Sequence, residues 1–193
     1  KNVYPELFGT IQVPKAEELI ANPYSFKKGL SEAKQFFERG MFEAFQRINL
    51  YTNINYPMTV YYAFKQSESD RTGVASTGWE TMLSAIVQAG FAITGTWPIR
   101  TERPSRTIAT GANALASSIV LVCRKRPESA PVCTRRDFIN VLKRELRPAL
   151  DNLQASNIAP VDMAQSAIGP GMAVYSRYSK VLEANGEAMT VRS

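Results

Sequence analysis

Histidine is absent from the 193-residue sequence. That absence excludes a Ser-His-Asp triad, a Cys-His dyad, a histidine-ligated zinc and any histidine acid–base step. Only two cysteines are present, Cys123 and Cys133, too few for a four-cysteine zinc site. No run approaches ~18 consecutive apolar residues, so no membrane-spanning helix is expected. Neither a GxGxxG nor a Walker pattern occurs, and Gly73 and Gly78 are too sparse for a phosphate loop. Internal repeats and low-complexity tracts are missing as well. Any catalysis would fall to carboxylate, Lys, Tyr, Cys, Asn or backbone groups.

What remains is an ordinary globular composition, 45% hydrophobic and 21% charged. A chain of this length buries roughly 70% of its unfolded surface and needs no covalent staples. The formal net charge is +6, and it is unevenly spread. Residues 96–147 hold 11 Lys/Arg against 4 Asp/Glu, a balance of +7, whereas the rest of the chain balances at −1. A localised basic excess is the footprint expected for a phosphate-bearing partner; a solvated basic face is the plainer alternative. Both cysteines lie near the basic run Arg124, Lys125, Arg126, which predicts reduced thiols and a cytoplasmic protein. The sequence opens on Lys1 with no signal-peptide pattern, which predicts a trimmed start or an excerpt of a longer chain.

Periodicity predicts the elements. Residues 1–30 carry Pro5, Pro14 and Pro23, with one short helix expected over Lys15–Ala21. Ser31–Asn49 reads as a helix, N-capped by Ser31 and striped by Ala33, Phe37, Met41, Phe45 and Ile48, with a turn at Asn53 and Asn55. Met58–Phe64 reads as a buried strand. Gly78–Gln88 reads as a second helix stopped by Gly90. Phe91–Ile99 and Leu115–Arg124 read as strands with no helix between them, hence antiparallel neighbours at a sheet edge. Thr134 and Asp137 form a capping-box-like start to a helix that reaches about Ser156 through a kink at Pro148. Ala159–Ile168 reads as a short helix broken by Gly169-Pro170-Gly171. Lys180–Val191 reads as a hairpin around Asn185-Gly186. The alternation argues α/β, and three strands are few, so something that completes the sheet is expected outside this chain. The expected division is residues 1–157 as the α/β domain and 158–193 as a C-terminal extension of helices with a small hairpin.

In open α/β sheets ligands bind beyond the carboxyl ends of the strands. That rule singles out Lys65 and Gln66 after the first strand. It also singles out the loop after the second, where Arg100, Arg103 and Arg106 recur at three-residue spacing behind Trp97. Arginine forks match phosphate oxygens and guanine edges, an indole stacks an unpaired base, and Asn113 suits an adenine edge. The alternatives are a local Arg100–Glu102 pair, a core Trp97 and a solvated crossover. The Gly169-Pro-Gly171 turn before Tyr175, Arg177 and Tyr178 offers a second, weaker anion cradle. Cys123 reads as core rather than nucleophile, and one of Tyr61 and Tyr62 faces the core.

Long blocks in order carry a family likeness: YPELFGTIQVPKAEELI (4–20), VYYAFKQSE (60–68), GWETMLSAIVQAGFAITGTWPIRTERPSR (78–106), NALASSIVLVCRKR (113–126) and APVDMAQSAIGPGMAVYSRYSKVLEANGEAMTVR (159–192). They resemble the C-terminal half of large prokaryotic adenine-specific DNA methylases, some of which carry a zinc ribbon. The resemblance implies a partial Rossmann-like methyltransferase sheet, of which this chain supplies the last three strands with an antiparallel edge pair. It implies S-adenosylmethionine as cofactor of the full-length protein and DNA as partner. The Arg100–Asn113 loop would then lie on the DNA side, near a flipped base. The catalytic Asp-Pro-Pro-Tyr motif and the Gly-rich cofactor loop of such enzymes are not in this sequence. The chain is therefore expected to be inactive alone, with no residue carried over as catalytic or cofactor-binding.

Three readings follow. The first is the DNA-side portion of an adenine methyltransferase, with Lys65, Gln66, Trp97, Arg100, Arg103, Arg106 and Asn113 as nucleic-acid-binding positions and no metal. The second is a non-catalytic DNA- or protein-binding module. The third, a small carboxylate enzyme, finds no paired spacing among Glu68, Asp70, Glu80 and Glu102. No membrane is expected; the missing N-terminal half or a homo-oligomer is, because Phe36, Phe42 and Tyr51 would otherwise be left exposed.

Overall fold

In the computed structural model, the described residues are Pro5, 18–62, 77–100, 117–156 and 160–191. They form four α-helices and two small sheets: α1 (Leu30–Tyr51), β1 (Met58–Tyr62), α2 (Thr77–Gln88), β2 (Phe91–Arg100), β3 (Ser117–Lys125), β4 (Val132–Thr134), α3 (Arg135–Ala155), α4 (Pro160–Ser176) and β5 (Lys180–Leu182).

The larger sheet has the order β1-β3-β2, and β3 runs antiparallel to both neighbours. β1 and β2 therefore point the same way. They are joined through helix α2, so the unit is a βαβ crossover with an antiparallel strand slotted into its middle. Alternation decides the faces. Met58, Val60, Tyr62, Phe91, Ile93, Ile119, Leu121 and Cys123 face the main core. On the opposite face Tyr61 and Trp97 both stand across from Val120. β1 is thus covered at alternate positions only, rather than buried as expected; Tyr62 is the inward tyrosine, stacked on Trp79, and Tyr61 is exposed.

α2 is apolar on nearly every side because it lies between α1 and the sheet. Its end is set by Gly90, whose φ of +88° is readily open only to glycine. α1 starts at Leu30 with Gly29 as its cap, not Ser31, and the Lys28 amide donates to the Glu32 carboxylate at 3.0 Å. Ala33 and Phe45 of its apolar stripe are buried, and Phe42 packs on the core; Ile48, Phe36 and Tyr51 are exposed. Over Glu18–Ala21, the described part of the short helix expected at 15–21, the chain is not helical. Asn22 precedes Pro23 and is held extended, and its side chain caps a single 3-10 turn, Pro23–Ser25.

α3 begins as expected, with Thr134 Oγ1 accepting the Asp137 amide and donating to its carboxylate, and it passes through Pro148. α4 departs from expectation: Gly169-Pro170-Gly171 does not break it, and one helix covers Pro160–Ser176. The reason is tertiary. Gly169 is pressed against Thr96 of β2, where a Cβ would lie 2.6 Å from Thr96 Cβ. A glycine that reads locally as a breaker is the residue that lets helix and strand meet. α4 also shields the outer edge of β2. Ser176 Oγ accepts the Ile93 amide at 2.8 Å and points its own hydroxyl at the Ile93 carbonyl, so both edge groups of Ile93 are occupied.

The second sheet pairs β4 and β5 in parallel over a smaller core of Cys133, Phe138, Val174 and Val181. The turn after β5 lies at the expected place. Gly186 (φ +82°) donates to Glu183 O, Glu183 N donates to Glu187 O, and Leu182 bridges Ala188. Asn185 is thus a central turn residue and Gly186 the left-handed residue that follows it.

Candidate functional site

β3 ends in the basic run, and two of its three cations are engaged by the ends of helices. Lys125 Nζ donates to Asn49 O near the end of α1 at 3.0 Å. Arg126 reaches Val87 O of α2 at 3.1 Å and Ser176 O, the last residue of α4, at 3.2 Å. The last carbonyls and the negative end of each helix dipole gather there; Asn49 O and Val87 O each also accept a turn amide, from Thr52 and Gly90, and the cations add to these. Burial pulls the Arg126 pKa down, and the nearby Tyr175 hydroxyl opposes that shift. Arg135 pairs with Glu183 at 3.3 Å. Arg124, Arg136, Lys143 and Arg147 are exposed and engage no acidic partner among the described residues.

Of the expected site positions, Trp97 and Arg100 are on β2. Lys65, Gln66, Arg103, Arg106 and Asn113 lie outside the described residues, as does the side chain of Arg100. Trp97 is 57% exposed, so it is not a core residue. β2 carries a bulge between Ile93 and Gly95, next to the edge that α4 covers. Past the bulge, the six-membered ring of the indole occupies the space a side chain at Gly95 would take; a Cβ there would lie 2.7 Å from Trp97 Cη2. Trp97 is thus laid along its own strand.

A groove of about 520 Å³ runs beside it. Its floor is Thr94–Trp97 of β2. One wall is Glu145, Ala149, Asn152 and Ser156, spaced along one side of α3; the other is Gly169, Pro170, Ala173 and Arg177, from α4 and the residue after it. Arg177 closes a fork on Glu145, Nη1 to Oε1 at 3.1 Å and Nη2 to Oε2 at 2.7 Å. That fork holds the Glu145 carboxyl below its usual pKa and raises the guanidinium. The Asn152 amide is exposed and has no protein partner among the described residues. Glu145 and Asn152 carry no motif; their i, i+7 spacing places them on one side of α3, but only the docking of α4 turns that side into a wall.

Cys123 is fully buried, and burial pushes its thiol up to about 12, the state of a core residue rather than a nucleophile. The Gly169-Pro-Gly171 segment lies inside α4, so it is no anion cradle. Among the described residues no cluster of three or more side chains could hold a metal ion, and no helix is long and apolar enough to cross a membrane. No family model, curated protein or solved structure matches the chain.

Proposed function

We propose that the chain is the DNA-side portion of an S-adenosylmethionine-dependent adenine methyltransferase, and that alone it binds DNA without transferring a methyl group. The observation that carries this reading is the split crossover β1-α2-β2 with β3 antiparallel inside it. A doubly wound sheet is built from βαβ crossovers, and the family likeness calls for its last three strands with an antiparallel edge pair, the place β3 takes beside β2. The outer edge of β1 has no partner strand among the described residues, and exposed Ile54, Tyr56 and Tyr61 lie on or just before it. That is where further strands of the sheet would join. Exposed Arg124, Arg136, Lys143 and Arg147 supply charge for phosphates.

The cofactor does not fit the described residues. No groove among them joins a glycine-rich loop to a free acid at a strand end, the combination that holds a nucleoside cofactor. Glu183, just after β5, is tied to Arg135. No transfer step is assigned. The missing donor site equally suits a stand-alone binding module.

Titration with duplex DNA across salt tests the reading. Four cations on four phosphates give a slope of about −3.6 in log affinity per log salt, roughly a 10²-fold loss between 50 and 200 mM. Arg136→Ala and Arg147→Ala should each flatten the slope by about one. Affinity that ignores salt overturns the reading. Binding of S-adenosylmethionine to this chain alone, seen by calorimetry, overturns the absence of a donor site.

A further inference from the structure

We propose that the groove between β2, α3 and α4 is the seat of one unpaired nucleobase, stacked on Trp97 and read along its edge by Asn152. The inference rests on the nucleic-acid reading above and adds a site to it. Three observations converge. First, the indole is both exposed and positioned: it is more than half uncovered, and it lies across Gly95 where any larger residue would displace it. An exposed aromatic ring fixed at a surface is the element that stacks bases in single-strand recognition. Second, the groove volume, about 520 Å³, falls in the range of clefts that take small planar ligands. Third, the polar groups are sorted. Glu145 and Arg177 cancel each other in their fork, so the walls present no net charge to the occupant. Ser156 Oγ donates to Asn152 O and Thr94 Oγ1 to Val122 O, which occupies two of the three hydroxyl protons of the groove, and the third hydroxyl, Thr96, is pressed against Gly169. The Asn152 amide remains, with a donor and an acceptor side by side.

That set suits an uncharged planar ring with a donor and an acceptor adjacent on its rim, which is the pattern an adenine presents through N6 and N7. A charged ligand would find no counter-ion in the groove. The phosphates of the strand bearing the base belong outside the groove, in solvent.

Fluorescence reads the site directly. Trp79 is buried at 2% exposure, so accessible emission belongs to Trp97. The probes are a fully paired duplex, the same duplex with one bulged adenine, and a single strand. The expected result is quenching by the bulged duplex and the single strand, and not by the paired duplex. Trp97→Ala should then bind the bulged duplex about tenfold more weakly, the size of one lost base–aromatic stack, with paired-duplex affinity unchanged and Trp97→Phe restoring most of the loss. Asn152→Ala should reduce the preference for a bulged adenine over a bulged thymine. If all three DNAs bind but Trp97→Ala changes nothing, the base seat is overturned and the DNA reading stands. If none of them binds, the DNA reading is overturned and the seat with it.

Discussion

Replacing Gly169 by alanine sets two effects of opposite sign against each other. In an open helix position, Gly→Ala gains about 1 kcal/mol of helix propensity. At 169 the new Cβ would meet Thr96 Cβ and Cγ2 at 2.6 Å each, and Thr96 Oγ1 closer still. Because Thr96 Cβ is itself one of the obstacles, no rotamer of Thr96 relieves the clash, and α4 must move off β2. Overpacking of this kind costs roughly 1–3 kcal/mol, and an obstacle at Cβ, which no rotamer moves, puts it near the upper end. The net expectation is a destabilisation of about 2 kcal/mol, a fall in Tm of roughly 4–8 °C for a chain of this size. Urea and thermal unfolding measure it. Two controls bind the argument to the structure. Gly171, in the same helix, has nothing within 4 Å of an added Cβ, so Gly171→Ala should raise stability by up to about 1 kcal/mol. In a Thr96→Gly background the obstacle is gone, and Gly169→Ala should become neutral or favourable, a coupling of roughly 2–3 kcal/mol. If Gly169→Ala stabilises the wild type as Gly171→Ala does, or if the coupling is absent, the close approach of α4 to β2 is wrong.

Three further outcomes are expected. Ser176→Ala strands the buried Ile93 amide now held at 2.8 Å and should lower unfolding free energy by about 1–3 kcal/mol; an unchanged urea midpoint would contradict that role. Cys123, with its thiol raised to about 12 by burial, should react with a thiol reagent at neutral pH only as fast as the protein unfolds, and rapid labelling of Cys123 located by mass spectrometry would refute its placement. For Glu145 the sign is set by a folded pKa below the unfolded one: its pairing with Arg177 stabilises above the ordinary carboxylate range and is lost as pH falls through the lower folded value. Both side chains are a third or more exposed, so the effect is small, about 0.2–1 kcal/mol. The Tm gap between wild type and Glu145→Gln should close as pH drops from about 6 toward 3, and a gap that does not vary with pH would show the pair to be idle.

The elements that were legible in sequence are those whose signals are local. α2 ends at Gly90 because only that residue of the turn tolerates positive φ, and α3 starts at Thr134 because its hydroxyl caps Asp137. The strands β2 and β3, with no helix between them, are antiparallel as expected. What misled was local chemistry overruled by packing. Gly169-Pro-Gly171 carries the residues of a turn, yet contact with Thr96 makes glycine a condition of the helix rather than its end. β4 and β5 pair three residues each in parallel, too short for a period to show. In the candidate site, Trp97 stood out in sequence as an aromatic ahead of arginines, but its exposure and its place over Gly95 depend on the bulge and the register. Asn152 and the Glu145–Arg177 fork were invisible because they need α3 and α4 side by side.

The charge excess also divides once the helices are placed. Summed along the sequence, residues 96–147 look like one phosphate footprint, but Lys125 and Arg126 are spent on the carbonyl ends of α1, α2 and α4. Replacing them would loosen the packing of three helices before it tested any partner. The cations left over include Arg136, Lys143 and Arg147, all exposed on α3. Their i, i+7, i+11 spacing keeps them near one line and spreads them over about 16 Å of helix axis. The same helix carries Glu145, Ala149, Asn152 and Ser156 into the groove wall. At roughly 100° per residue the wall lies about 180° around α3 from the cation row, so the helix bears positive charge on one face and one side of the proposed base seat on the opposite face. A strand seated in the groove cannot also lay its phosphates along that row without passing around the helix, so the phosphate row and the base seat would engage separate stretches of nucleic acid, and removing one should leave the other's contribution to binding in place.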